Sequence, residues 1–451
     1  MLVTQKDSSN ATSSDTLTGI RLVFRTLRYR NYRMFFGGQI ISLVGTWMQQ
    51  IALTWLVYRM TNSAFLLGFV GFAGQVPSFI LGPFSGVVAD RVNRHRALFV
   101  TQGLSMLQAA ILAFLTLTGA IAVWHIIVLS ILLGIINAFD IPIRQSFLLE
   151  MIENRDDLGN AIALNSSMFN GARLVGPAVA GVMIAAIGEG PCFLLNAISY
   201  LAVIIALAAM KIPRRHIEKS SGGVFTGFAE GARYAFGFLP IRNILLLLAL
   251  VSVMGLPYSV LMPIFARDIL GGGPHTLGFL MSATGVGALS GALLLASRKS
   301  VRGLAKWISN ATITFGLGLI AFSFSRILPL SIILLFLVGF GMMVQMASSN
   351  TILQTIVDDD KRGRIMSFYT MAFMGMAPLG SLLAGSFAST IGAPSTLLIG
   401  GVVCIAGGAY FASRLPELRK EIRPVYERLG IVSEVSSGLQ AATHLTIPPT
   451  E

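Results

Sequence analysis

Long apolar runs separated by short polar breaks govern the chain from about residue 34 to residue 413. Each run is near or above the roughly 20 apolar residues that carry a helix across a bilayer. The pattern predicts twelve spans: 34–58, 64–89, 97–119, 121–149, 161–187, 190–211, 241–267, 276–297, 303–324, 328–353, 363–389 and 392–413. Buried backbone polar groups must be satisfied within each crossing segment, so helices are expected throughout. The fold class is an all-α polytopic membrane protein of two six-helix, pseudo-symmetric bundles. Residues 1–33 form an inner tail with a basic amphipathic segment, and 34–211 the first bundle. Residues 212–240 form a polar inner loop, 241–413 the second bundle, and 414–451 a basic inner tail.

Repetition supports two related halves. Gly171, Gly176, Gly181 and Gly188 fall on Gly375, Gly380, Gly385 and Gly392 at one constant offset. These are fifth-span positions in each half, so duplication explains the spacing better than chance small residues do.

Composition then decides what the charge means. With 54% hydrophobic and 12% charged residues, the chain is too apolar for a soluble domain of 451 residues. A net charge of +13 would suggest nucleic acid in a soluble protein. Here it follows topology. Arg59, Arg267 and Arg326 fall at outer ends, Arg144 and Arg173 lie within spans, and the remaining Lys and Arg gather on the inner side. Basic short loops stay cytoplasmic, which puts both termini there. Nucleic acid is excluded as a partner, and the lipid bilayer takes its place. Cys192 and Cys404 sit in separate apolar runs and read as packing residues. No cofactor, metal site or phosphate loop is legible, and nothing suggests an enzyme.

The loop between spans two and three reads Gly86-Val-Val-Ala-Asp90-Arg91-Val-Asn93-Arg94-His-Arg-Ala-Leu98. It resembles the signature loop of the major facilitator superfamily, G-x-L-A-D-R-x-G-R-K-x-x-L. Asn93 stands where that pattern has glycine, and asparagine is expected to supply the same positive φ. The resemblance implies an inner latch. Asp90 would approach the start of span eleven near residues 363–366, where helix N–H groups favour an anion. Arg94 would pair with Glu150. Together Gly86, Asp90, Arg91, Arg94 and Glu150 form the inner gate motif; the plain alternative is a set of solvated loop charges. Further strings, Asn31-Tyr-Arg-Met-Phe-Phe-Gly-Gly-Gln39 and Pro142-Ile-Arg144-Gln145 among them, resemble the branch holding the enterobactin exporter and related secretion or multidrug efflux proteins. That branch implies export of a bulky amphipathic small molecule, siderophore-like or drug-like, from a bacterial inner membrane by a monomeric transporter.

Asp140 and Arg144 stand four apart in span four, on one helix face. Ionisable groups inside a membrane are functional candidates by default. Asp140, Arg144 and Arg173 are the proton-coupling candidates; a permanent structural pair is the competing reading. Gly176, Pro177 and Gly181 resemble the span-five motif of drug/proton antiporters, and close helix packing alone would also explain them. Gln39, Trp47, Gln50, Asn137, Gln145, Tyr258, Met262, Gln345 and Asn350 fall in spans one, four, seven and ten. Those spans line the cavity in the superfamily fold, and helix–helix hydrogen bonds compete for the same side chains. A non-transporting or lipid-handling protein, and an importer, are the alternatives on this fold.

Overall fold

The computed structural model describes residues 25–152, 154, 157–210, 224–298 and 300–429. Twelve helices among these residues are long and apolar enough to cross a membrane. Spans one to six are Arg30–Thr61, Ala64–Arg91, Arg94–Leu117, Val123–Glu150, Leu158–Ile187 and Gly190–Ala209. Span seven is assembled from Leu239–Met254, Tyr258–Ile264 and a π-helical turn, Phe265–Ile269. Spans eight to ten are Pro274–Ala296, Leu304–Phe324 and Leu328–Ile356. Span eleven is also composite: Asp359–Thr370, a π-helical turn at Met371–Gly375, then Ala377–Ile391. Span twelve is Ala393–Ser413.

Proline and glycine account for the two composite spans. Pro257 and Pro378 lack the N–H that a continuous helix would use. Gly255 and Gly375 sit just before those prolines, each against an aromatic ring. A Cβ on Gly255 would lie 2.3 Å from the Phe315 ring, and one on Gly375 would lie 2.6 Å from the Phe79 ring.

Small residues set the packing inside each half. Spans two and four touch backbone to backbone, since a Cβ on Gly134 would meet the Gly74 carbonyl at 2.4 Å. In the second half, a Cβ on Gly339 would meet the Thr284 carbonyl at 2.0 Å. Lipid tails are as apolar as leucine, so such close backbone approach replaces hydrophobic burial as the packing force.

The repeat seen in the sequence is also a repeat of contacts. Gly181 of span five meets Gly278 of span eight, its built Cβ being 2.9 Å from the partner's Cα. Its counterpart Gly385 of span eleven meets Gly68 of span two at 2.7 Å on the same measure. Gly188 and Gly392, the next pair in the repeat, end their helices at φ +83° and +84°. Two equivalent glycine-lined crossings therefore join the halves.

Two segments outside the spans are helical where the sequence reading expected loop and tail. Val224–Gly237 lies along the entry to span seven, and Leu415–Arg428 follows span twelve. Leu415, Leu418 and Ile422 bury one face of the latter. Both dock at the ends of the second half through charge. Arg364 meets Glu230 at 2.8 Å, Lys361 sits 4.5 Å over the Tyr234 ring, and Arg428 lies 3.9 Å from Asp358.

The basic segment before span one also differs from expectation. Its first part lies outside the described residues. Arg25–Arg28 is a single 3-10 turn tied to the start of span five. Arg25 and Arg28 reach the buried Asp157 carboxylate at 2.9 and 2.6 Å, and Thr26 donates to Asn160 at 2.9 Å.

Candidate functional site

Among the described residues, the glycine-to-glycine crossings between halves lie toward one face, that of the connections after spans one, three, seven and nine. Near this face Gly68 meets Gly385, and Gly181 meets Gly278. At its edge, the Tyr58 hydroxyl donates to the Asp268 carboxylate. Arg267 donates to Asn62 at 2.7 Å and sits 5.9 Å over the Tyr58 ring. The sequence reading placed Arg267 at the outer end of span seven and did not pair either residue. The adjacent opposite charges at a helix end were the available signal.

Toward the opposite face, which carries the signature loop, the halves part. Gly171 and Gly363 have no atom within 4 Å of a built Cβ, and Ser166, Phe169 and Gln145 are exposed. Among the described residues, the halves thus meet at the glycine crossings on one side and leave these positions uncovered on the other.

Of the gate residues, Gly86 and the Asp90 side chain fall outside the described residues. Arg91 is exposed. Arg94 pairs with Glu150 at 2.7 Å, tying the start of span three to the end of span four, with both groups half-buried. Asn93 corrects the expectation of a positive φ. Its φ is −69°, and it caps span three by accepting the Arg96 N–H at 3.0 Å. The asparagine side chain supplies a cap that glycine would leave to water.

Asp140 is buried deep in span four. Its Oδ1 accepts from Thr101 at 2.7 Å and from Gln102 at 2.8 Å; its Oδ2 lies 3.2 Å from Arg144. One carboxylate thus gathers three donors from two helices. Further along span three, Gln108 accepts from Gln49 at 3.1 Å, and Asn196 donates to Gln49 at 2.8 Å. Spans one, three and six are therefore sewn together by buried amides.

Several cavity candidates are buried in this conformation: Gln39, Tyr258, Met262 and Gln345. Gly38, beside Gln39, packs on Ala202 of span six. The Tyr258 ring stands edge-on to Phe315 of span nine. Gln345 lies one turn beyond Gly341, which packs on Ala311 and Phe315. Periodicity could assign a span but not which of its faces meets the partner half. Trp47, Asn137 and Asn350 are half-exposed, and Gln50 and Gln145 are exposed.

Span five carries the group nearest the closure. A Cβ on Gly176 would lie 2.4 Å from the Trp47 Cβ, so span one presses directly on span five there. Pro177 and Gly181 complete the contact with span eight, a Cβ on Gly278 coming within 2.6 Å of the Pro177 carbonyl. Arg173 lies 5.8 Å over the Trp47 ring and 3.9 Å from the Met342 sulfur of span ten.

The matches to known proteins fit this geometry. The transmembrane secretion effector family model matches residues 23–428. The chain belongs to that family. It is a multi-pass efflux transporter of the major facilitator superfamily, acting on a small molecule, and not an enzyme. The Staphylococcus aureus staphyloferrin A transporter is 29% identical, over 86% of this chain and 98% of its own. The multidrug efflux pump Tap of Mycolicibacterium fortuitum is 28% identical, covering 83% and 93%. Macrolide efflux protein A of Streptococcus pyogenes is 22% identical, covering 84% and 96%. Among solved structures, a bacterial homologue of the human lysosomal transporter Spinster superposes with a TM-score of 0.68. That match covers 87% of this chain and 98% of the other, at 15% identity, and concerns the fold alone.

Proposed function

We propose that this transporter exports a bulky amphipathic molecule, siderophore-like or drug-like, in exchange for protons. It would act as a monomer in a bacterial inner membrane. The observation that carries the coupling is Asp140: a buried carboxylate holding Thr101, Gln102 and Arg144 at once. An ionisable residue inside the membrane is a functional candidate by default. When ionised, Asp140 retains Arg144. When protonated, it loses the charge that holds Arg144, and the half-exposed guanidinium is released toward the chamber. The face carrying the signature loop is assigned to the cytoplasm by its arginines. The open side then loads substrate from within. Rocking of the halves parts the glycine crossings and opens the other face. The relatives' names, covering a siderophore transporter and multidrug and macrolide pumps, support export and a roomy chamber.

The test uses everted membrane vesicles and a fluorescent amphipathic dye. Accumulation driven by a proton gradient is expected, with collapse on adding a protonophore. Asp140→Asn should insert at normal levels and lose the gradient response. Transport by the wild-type protein that ignores the gradient would remove proton coupling. Net dye uptake into intact cells would instead reverse the direction.

A further inference from the structure

Among the described residues, Arg173 differs from Arg94, Arg144 and Arg59 in having no carboxylate beside it. Arg94 has Glu150, and Arg144 has Asp140. At the outer rim Arg59 has Glu189, at 2.7 Å. Arg173 has no carboxylate within ion-pair distance among the described residues; its neighbours are a ring and a thioether. A guanidinium stays protonated in proteins, so it cannot shed its charge to relieve the cost. A cation–π contact offsets only part of that cost.

Its position is equally specific. Leu174, the next residue, is the inner limit of the closed crossing with span eight. Ser282 donates to the Leu174 carbonyl at 3.0 Å, and a Cβ on Gly285 would lie 3.0 Å from the Leu174 Cα. On the inner side of that level nothing approaches Gly171, and Phe169 is exposed. Arg173 therefore sits at the roof of the open chamber. Trp47 and Phe169, edge-to-face with centroids 5.8 Å apart, form an aromatic wall beside it.

We propose that Arg173 anchors the carboxylate of an amphipathic substrate whose apolar body lies against Trp47 and Phe169. One guanidinium fork matches one carboxylate through two parallel N–H···O bonds. A phosphate dianion would call for a second cation, and none lies beside Arg173 among the described residues. Bound substrate supplies the missing counter-charge at the level where the halves meet, so anion binding and the closed crossing share one side chain. This assignment rests on the reading of the chamber as the export site.

The test is direct binding to the full-length protein in phosphatidylcholine nanodiscs, with empty discs subtracted. The probes are 11-(dansylamino)undecanoate and its uncharged primary amide, read by energy transfer from tryptophan. Charge-assisted hydrogen bonds predict that the acid binds about tenfold or more tighter than the amide. Arg173→Gln should abolish that preference by weakening the acid far more than the amide, with thermal unfolding in the discs reporting intact folding. Arg173→Lys should keep part of it, since the charge remains and the fork is lost. Equal binding of acid and amide by the wild-type protein overturns the proposal. So does a preference that survives in Arg173→Gln, or in Arg173→Lys at its full wild-type size if the glutamine variant does not fold. Gradient-driven export of a cationic dye separates the two readings. Export without acid preference removes only the anchor, whereas Arg173-dependent acid binding without export removes only the transport reading.

Discussion

The crossing of spans two and eleven permits a prediction worked from contact distances. In Gly385→Ala, the new Cβ would lie 2.7 Å from the Gly68 Cα, 2.8 Å from the Ala64 carbonyl oxygen and 3.0 Å from the Gly68 nitrogen. Unstrained carbon contacts run at about 3.5–4.0 Å, so the backbones must part by roughly 1 Å. The obstructing atoms are backbone, which cannot rotate aside as a side chain can. Overpacking of this kind costs about 1–3 kcal/mol. All three nearest atoms belong to span two, in the other half of the molecule. The cost therefore falls on the closed state of this face and spares the packing within each bundle. It corresponds to a shift of about 5- to 150-fold toward the state open at that face. A wild-type protein with roughly one molecule in a hundred open there would become a mixture. Spin labels at Ala120→Cys and Ile327→Cys, both exposed on that face in opposite halves, would report it by electron–electron distance measurement. Cys192 and Cys404 are buried and need no replacement. A longer distance component should appear in Gly385→Ala, and also in Gly181→Ala through the equivalent crossing. Unchanged distance distributions in both variants would refute the reasoning.

Two further predictions concern the loop-bearing face. Asn93→Ala removes the span-three cap and should cost about 1 kcal/mol, whereas Asn93→Gly should cost only a few tenths, as thermal unfolding in detergent would show. Equal losses would count against the capping role. Asp157→Asn removes the charge shared by Arg25 and Arg28 and should destabilise by about 1–3 kcal/mol. Early proteolysis before span one is the expected sign, and wild-type resistance would dismiss the tie.

The sequence made the spans legible because a bilayer imposes one strong requirement, length in apolar residues, on every crossing segment. The glycine repeat was legible because close backbone approach at Gly181 and Gly385, and a positive φ at Gly188 and Gly392, each favour glycine. What escaped depended on tertiary partners. Asp157 looked like a loop acid until the segment before span one folded over it. Asp268 lay at the edge of span seven, and its partner Tyr58 is in the other half. Gln39, Tyr258, Met262 and Gln345 were assigned to the chamber from their spans, and their full burial depends on neighbours that periodicity does not name. Leu415–Arg428 was read as tail because its polar face hid the three apolar residues that seat it. Asn93 shows a subtler limit, since one residue type serves both left-handed turns and helix caps.

The broken course of span eleven has a mechanical consequence. Its portion Ala377–Ile391 is clamped to span two by the Gly68–Gly385 crossing, while the π turn at Met371–Gly375 lies between that clamp and the segment Asp359–Thr370. A wider turn with looser hydrogen bonding is a natural elbow. The forearm beyond it, yoked to Val224–Gly237 through Arg364 and Glu230, could swing and drag that surface helix along while the upper arm stays pinned.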